Sequence, residues 1–223
     1  MAEKMRAGII IVLLVAVGIH SCGQNRETET AVADPVIGVN TSSMGTEIDS
    51  FVHTEFRYTD SAGLDLTIQN SYPRGGPYTD LYGNRSGYGV FWTHIVNEAD
   101  TSVEILIDFP TDALRLFPEP ESYLKLFLPP GVMSSDKVTL MNYGAMGLKH
   151  HLDSGLNQDG KLHRIIAAGD EWYFYTGILF RLPSNGPVRT GLELKGQDLF
   201  YRISIANQLD SALIPCGRIV PFD

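Results

Sequence analysis

The sequence predicts a mainly β protein: an antiparallel β-sandwich, Ig-like or jelly-roll-like, carried on a flexible tether. Three observations lead there. Between residues 64 and 220 the chain offers at least seven short runs of alternating or β-branched and aromatic residues, the pattern of half-buried strands. Gly, Pro, Asn and Asp clusters separate the runs and act as turns. Sustained helical periodicity is missing, so helix is expected only as one short piece near 142–153. Two antiparallel sheets packed face to face satisfy this pattern. A barrel satisfies it too, because alternation alone does not separate the two.

The first element precedes the fold. Lys4 and Arg6 form a short positive region, followed by an uncharged apolar run from Ala7 to Ile19. Thirteen residues are too few to span a bilayer, which takes about 20, but they fit the core of a signal peptide. Ile19-His20-Ser21-Cys22 comes next. This resembles the lipobox of bacterial lipoproteins: an aliphatic residue, two small residues and the cysteine that is acylated. Ile19, Ser21 and Cys22 fit that pattern and His20 departs from it. The resemblance implies removal of residues 1–21, lipidation of Cys22 (palmitate among the acyl groups) and residence in the bacterial cell envelope. Gly23 stands where an Asp signals inner-membrane retention, so the resemblance implies the outer membrane. Acyl chains hold a protein through about 0.8 kcal/mol per buried methylene, and more than one chain is needed for firm anchoring.

Loss of the leader removes Lys4, Arg6 and Glu3 and takes the net charge from −9 to −10. So acidic a chain is a poor ligand for phosphate backbones, and nucleic acid is not an expected partner. Nor does charge attract it to anionic lipid, so the acyl group must do the anchoring. Cys216 is the one other cysteine. With Cys22 acylated it has no disulfide partner, and its apolar neighbours, Leu213, Ile214 and Pro215 among them, mark it as a buried inert thiol. Residues 22–50 are rich in Thr, Ser, Glu and Gly and poor in aromatics. They cannot bury enough apolar surface to offset chain entropy and read as the tether. Residues 51–223 then form one domain.

Within it, Leu64, Leu66 and Ile68 alternate with polar residues. Residues 88–97 (YGVFWTHIVN) form a long β-branched and aromatic run, apolar on both faces over 90–96. Residues 103–109 set Val103, Ile105, Ile107 and Phe109 against Glu104, Leu106 and Asp108. The polar cluster Asn97–Ser102 between these two runs predicts a hairpin. Further strands are read at 122–128, 162–167, 172–181, 188–195, 199–205 and 213–220, with a turn at Gly196-Gln197-Asp198. The runs 90–96 and 172–180 should be central strands, covered on both faces or by an insertion. His94 shares a strand face with Val90 and Trp92, as a core histidine would.

Candidate sites are few. Residues 72–88 read as a long connection holding Tyr72, Arg74, Tyr78, Tyr82 and Arg85. Tyrosines offer apolar area with a polar tip, which suits a binding surface, sugar rings included; self-packing of the loop is the plainer outcome. His150, His151, Asp153 and His163 are metal-ligand types without the i,i+4 spacing of helical zinc sites. Asn157–Gly160 matches part of a calcium loop, but Gly155 and Ile166 occupy its key positions, so a turn is the reading. No G-x-S-x-G elbow and no phosphate-binding glycine loop is present. No cofactor, metal or catalytic residue is therefore nominated. The expected role is binding or structural, toward an envelope protein or a glycan. The alternatives are a carbohydrate-binding module using residues 72–88, or a hydrolase or metal enzyme built on residues 143–163.

Overall fold

The hydrophobic alternation resolves into eleven strands in two antiparallel sheets. The structure, a computed structural model, describes residues 48–222 apart from 62, 117–119, 157–159, 182–185 and 206–211. The leader, Cys22, Gly23, most of the tether and residues 157–159 of the expected turn lie outside the described residues. A 3-10 turn at Ile48–Phe51 leads into β1 (Val52–Thr59), β2 (Asp65–Ser71), β3 (Arg74–Thr79), β4 (Arg85–Asn97), β5 (Ser102–Asp108) and β6 (Tyr123–Phe127). After an insertion come β7 (Lys161–Ile166), β8 (Glu171–Arg181), β9 (Val188–Lys195), β10 (Asp198–Ile205) and β11 (Ala212–Phe222). One sheet runs β1-β2-β4-β8-β6, with β3 also on β4; the other runs β7-β5-β11-β10-β9. The sheets share no paired strands, so the structure is a sandwich and not a closed barrel.

Between the sheets lie the residues that alternation selects: Leu66 and Ile68, Phe91 and Ile95, Ile105 and Ile107, Phe174 and Ile178, Leu192 and Leu194, Leu199 and Ile203. Each such side chain, fully buried, contributes about 1.5–3 kcal/mol. The two doubly apolar runs became β4 and β8, neighbours at the centre of the first sheet. Their other face carries Val90, Trp92, Tyr173 and Tyr175. The insertion between β6 and β7 covers it with Met133, Val138, Tyr143, Leu148, Leu152 and Leu156. The expectation of a covered central pair is met by this third layer.

Three local readings are corrected. The Asn97–Ser102 turn does not close a hairpin, because β4 and β5 lie in different sheets. Asn97 shapes a corner instead: its amide donates to the carbonyls of Thr101 (2.8 Å), Ile166 (3.1 Å) and Ala167 (3.0 Å). Residues 72–88 are not a long loop. β3 continues along the same side of β4 as β2 after a break at Tyr72-Pro73, and a tight turn at Asp80–Asn84 returns the chain into β4. Asp80 organises that turn by accepting from the backbone N–H of Tyr82 and of Asn84. The helix is shorter than expected. Only α1 (Leu148–Asp153) is α-helical, because Asn142 (φ 49°), Tyr143 (φ 55°) and Gly144 (φ 71°) turn left-handed just before it. The turn predicted at Gly196-Gln197 is present as the β9–β10 hairpin.

The sandwich is closed along β9 by side chains of the opposite sheet. The Asn70 side-chain amide donates to the Leu192 carbonyl (3.1 Å) and its oxygen accepts the Leu192 N–H (2.8 Å). The Leu194 N–H donates to the Tyr58 hydroxyl (3.1 Å). An edge strand normally presents such groups to any passing strand; here they are occupied.

Candidate functional site

The residues nominated from 72–88 are dispersed. Tyr78 is buried, and its hydroxyl donates to the Asp153 carboxylate at 2.8 Å. Burial, then Asp153, pushes its phenol up to about 12. Lys149, paired to Asp153 at 2.8 Å, and then the Tyr78 hydroxyl hold that carboxyl below its usual range. Tyr82 is 91% exposed at the hairpin tip, and Arg85 is exposed at the start of β4. Tyr72 is half-exposed, with its ring 4.9 Å from that of His53 and 5.3 Å from the Arg189 guanidinium. Arg74 is a structural clamp. Its guanidinium lies 4.7 Å from the ring centres of both Phe51 and Tyr143, and it donates to the carbonyls of Thr139 (3.0 Å) and Leu140. The three tyrosines do not form one exposed platform.

The histidines separate as well. His151 is buried beside the Phe127 ring, 5.6 Å away, and burial lowers its pKa; neighbouring His150 lowers it further. His150 faces solvent. His163 stands in the other sheet, 2.9 Å from Glu104. Among the described residues no three metal-ligating side chains converge. His94 is a core histidine as read: its ring stacks on Tyr173 at 3.9 Å and its nitrogens meet Gln69 (3.0 Å) and Glu171 (2.8 Å).

The outward face of the second sheet holds the surface that sequence reading missed. Its strands bring Asp198 opposite Arg218, Arg218 opposite Leu106 and Leu106 opposite His163, one row across β10, β11, β5 and β7. Lys161 and Asp108 form the next pair at 3.9 Å. A groove of about 650 Å³ lies over these residues. Its floor exists because β11 bulges: Leu199 pairs with Gly217 but Phe200 pairs with Pro215. A Cβ on Gly217 would lie 1.9 Å from the Leu106 carbonyl oxygen, so only glycine lets the strands meet there. The bulge also turns Cys216 into the core, where burial raises its thiol to about 12. The groove thus offers cations and carboxylates around Leu106, Ile107 and Leu162, and its nearest thiol faces the wrong way.

The one advance signal of this groove was Leu106 standing between Glu104 and Asp108 on the polar side of a strand. Nothing in sequence placed Arg218, Asp198 or His163 beside it, since those pairings are long-range. Compared with known protein families and with curated proteins, the sequence matches none.

Proposed function

We propose that the chain is a lipid-anchored cell-envelope protein whose sandwich binds a polar envelope partner, protein or glycan, through the groove on its second sheet. The anchoring half of the reading rests on Lys4 to Cys22. The binding half is carried by one observation: the row Asp198–Arg218–Leu106–His163, which sets donors and acceptors on either side of an apolar floor. Arg218 has no carboxylate partner among the described residues. Open donors around a small apolar centre are what recognition sites for polar ligands use. A platform of Tyr72, Tyr78 and Tyr82 has less support, since Tyr78 is spent on Asp153 and the core. A hydrolytic or metal centre at 143–163 has less support for the same kind of reason, since His151 and His163 belong to different layers.

Two experiments test the two halves. Metabolic labelling with a fatty-acid probe should tag the protein and not its Cys22→Ser variant; persistent labelling of the variant ends the lipoprotein reading. A photo-crosslinking residue at position 218 should capture a partner in intact envelopes, and Asp198→Lys should weaken that capture. A position 218 that captures nothing, while a crosslinker elsewhere on the surface does, ends the groove reading.

A further inference from the structure

The insertion is apolar on both of its sides, and only one side is explained by the core. Met133, Val138, Tyr143 and Leu148 pack inward on β4 and β8. From the same segment Met141 is 84% exposed, Met146 82%, Val132 75% and Leu140 49%. Exposed apolar residues scattered singly are ordinary, as Leu213 is on β11. Four within fifteen residues of one short insertion form a patch that calls for a partner.

The patch is held together. Lys137 donates to the Val132 carbonyl, and the Leu140 N–H donates to the Lys137 carbonyl at 3.0 Å. The left-handed turn at 142–144 folds Gly144 back against the Leu140 and Lys137 side chains. Tyr143 pins the turn by donating from its hydroxyl to the Tyr72 carbonyl at 2.6 Å and by accepting the Tyr175 hydroxyl at its own carbonyl. A bulky residue in that conformation costs about 1–3 kcal/mol, so the presentation of Leu140 and Met141 is imposed by the surrounding fold.

The place where the tether meets the domain says what lies against the patch. Phe51, in the first described turn, packs on Arg74, and Arg74 reaches the carbonyls of Thr139 and Leu140. The chain that comes from Cys22 therefore arrives beside Leu140. About 26 residues separate Cys22 from Ile48; as a flexible coil they span roughly 28 Å on average. A surface held that close to its target meets it at an effective concentration near millimolar, so a weak contact is enough. Charge fits a lipid surface as well. Residues 129–156 hold two acids and two bases, whereas the whole chain carries −9, so this segment adds no net charge for an anionic bilayer to repel.

We propose that the insertion is the membrane-facing side of the domain, with Val132, Leu140, Met141 and Met146 entering the interfacial zone of the bilayer and Tyr72 at its rim. This rests on the reading that the chain is anchored near Cys22. Unbranched methionines adapt well to such an irregular apolar boundary, and tyrosine favours membrane interfaces.

The test uses the full chain, isolated from membranes and reconstituted into phosphatidylcholine vesicles. A polarity-sensitive dye is attached at Met141→Cys, at Met146→Cys or, on the opposite sheet, at His163→Cys. Dye at 141 and 146 should shift to the blue and lose most of its emission to nitroxide-labelled lipid, while dye at 163 should do neither. Adding Leu140→Asp should release the dye at 146 without changing the protein's melting. Dye at 141 as wet as dye at 163 overturns the proposal. So does shielding that appears in native envelopes but not in pure lipid, since the occupant is then a protein. If Cys22 proves not to be acylated, the same labels on a chain held by an N-terminal histidine tag to nickel-chelating lipid read the docking alone.

Discussion

Asn70 is the residue on which closure of the sandwich depends, and its replacement gives a sharp test. An amide side chain has two donors and two acceptor lone pairs. All are used: its nitrogen donates to Thr54 (3.2 Å) and to the Leu192 carbonyl (3.1 Å), while its oxygen accepts from Thr93 (3.0 Å) and from the Leu192 N–H (2.8 Å). Asn70→Ala removes four bonds, each contributing about 1 kcal/mol net, and leaves two backbone groups of β9 buried without partners. Together these should cost about 4 kcal/mol, a large share of a typical stability of about 5–15 kcal/mol. Equilibrium urea unfolding measures it. Hydrogen exchange localises it: the Leu192 amide should lose protection while the Leu194 amide, held by Tyr58, keeps it. Asn70→Asp separates the donors from the acceptors. At pH 7 a carboxylate there faces the Leu192 carbonyl and is as harmful as alanine. Protonation restores one donor, so the gap to the parent should narrow as pH falls. An alanine variant within about 0.5 kcal/mol of the parent, as expected for a surface site, would refute the account of how the edge is sealed.

Burial holds His151 and His94 below the ordinary histidine value near 6.5. The unfolded chain therefore takes up protons first, and stability should be full above about pH 6.5 and fall as pH drops through it; His151→Gln should flatten the urea-midpoint profile between pH 7.5 and 5.5. The Cys216 thiol, raised to about 12, should resist alkylation at pH 8 in the folded Cys22→Ser protein and react at once in urea; reaction at equal rates in both would place it at the surface. Gly217→Ala should force β5 and β11 apart at Leu106, costing about 3 kcal/mol or more and abolishing capture at the groove; a silent substitution would contradict the bulge.

Sequence periodicity exposed the layers better than the connections. The doubly apolar runs at 90–96 and 172–180 announced a central pair with cover on both faces, because large apolar and aromatic side chains stand on both faces of each run. The same residues could not say that the cover would come from 129–156. Asn97–Ser102 was legible as a turn but not as a corner: its polarity is identical whether the chain returns to the same sheet or crosses, and the deciding bonds reach Ile166 and Ala167. Gly75-Gly76-Pro77 read as loop, since glycine and proline are depleted in strands. Yet Gly75 is required inside β3, where a Cβ would sit 2.0 Å from the Tyr88 carbonyl oxygen. Glu193 alternates with the core residues Leu192 and Leu194, yet it is buried against Arg202 of the adjacent strand. The groove was the least legible feature, being a row of single residues from four strands.

The two outer faces of the sandwich therefore have different physical characters, and this bears on how an anchored protein would work. A sheet covered by a neutral, apolar-tipped insertion beside the first described turn has little to offer a soluble ligand. Among the described residues no layer covers the opposite sheet, which is charged in both signs and relieved by a glycine bulge. Packed sheets stand about 10 Å apart, and a layer as thick as a helix adds about as much again. With the insertion against lipid, the groove would sit roughly 20 Å or more above the bilayer, beyond a Debye length of about 8 Å at physiological salt. Arg218 and Lys161 would then meet their ligand in solvent rather than in the field of the lipid headgroups. If the chain is anchored at Cys22 as proposed, an acidic domain could otherwise present any face to the membrane. A weak apolar contact is sufficient to choose one, and the choice that buries Met141 is the one that leaves Arg218 free.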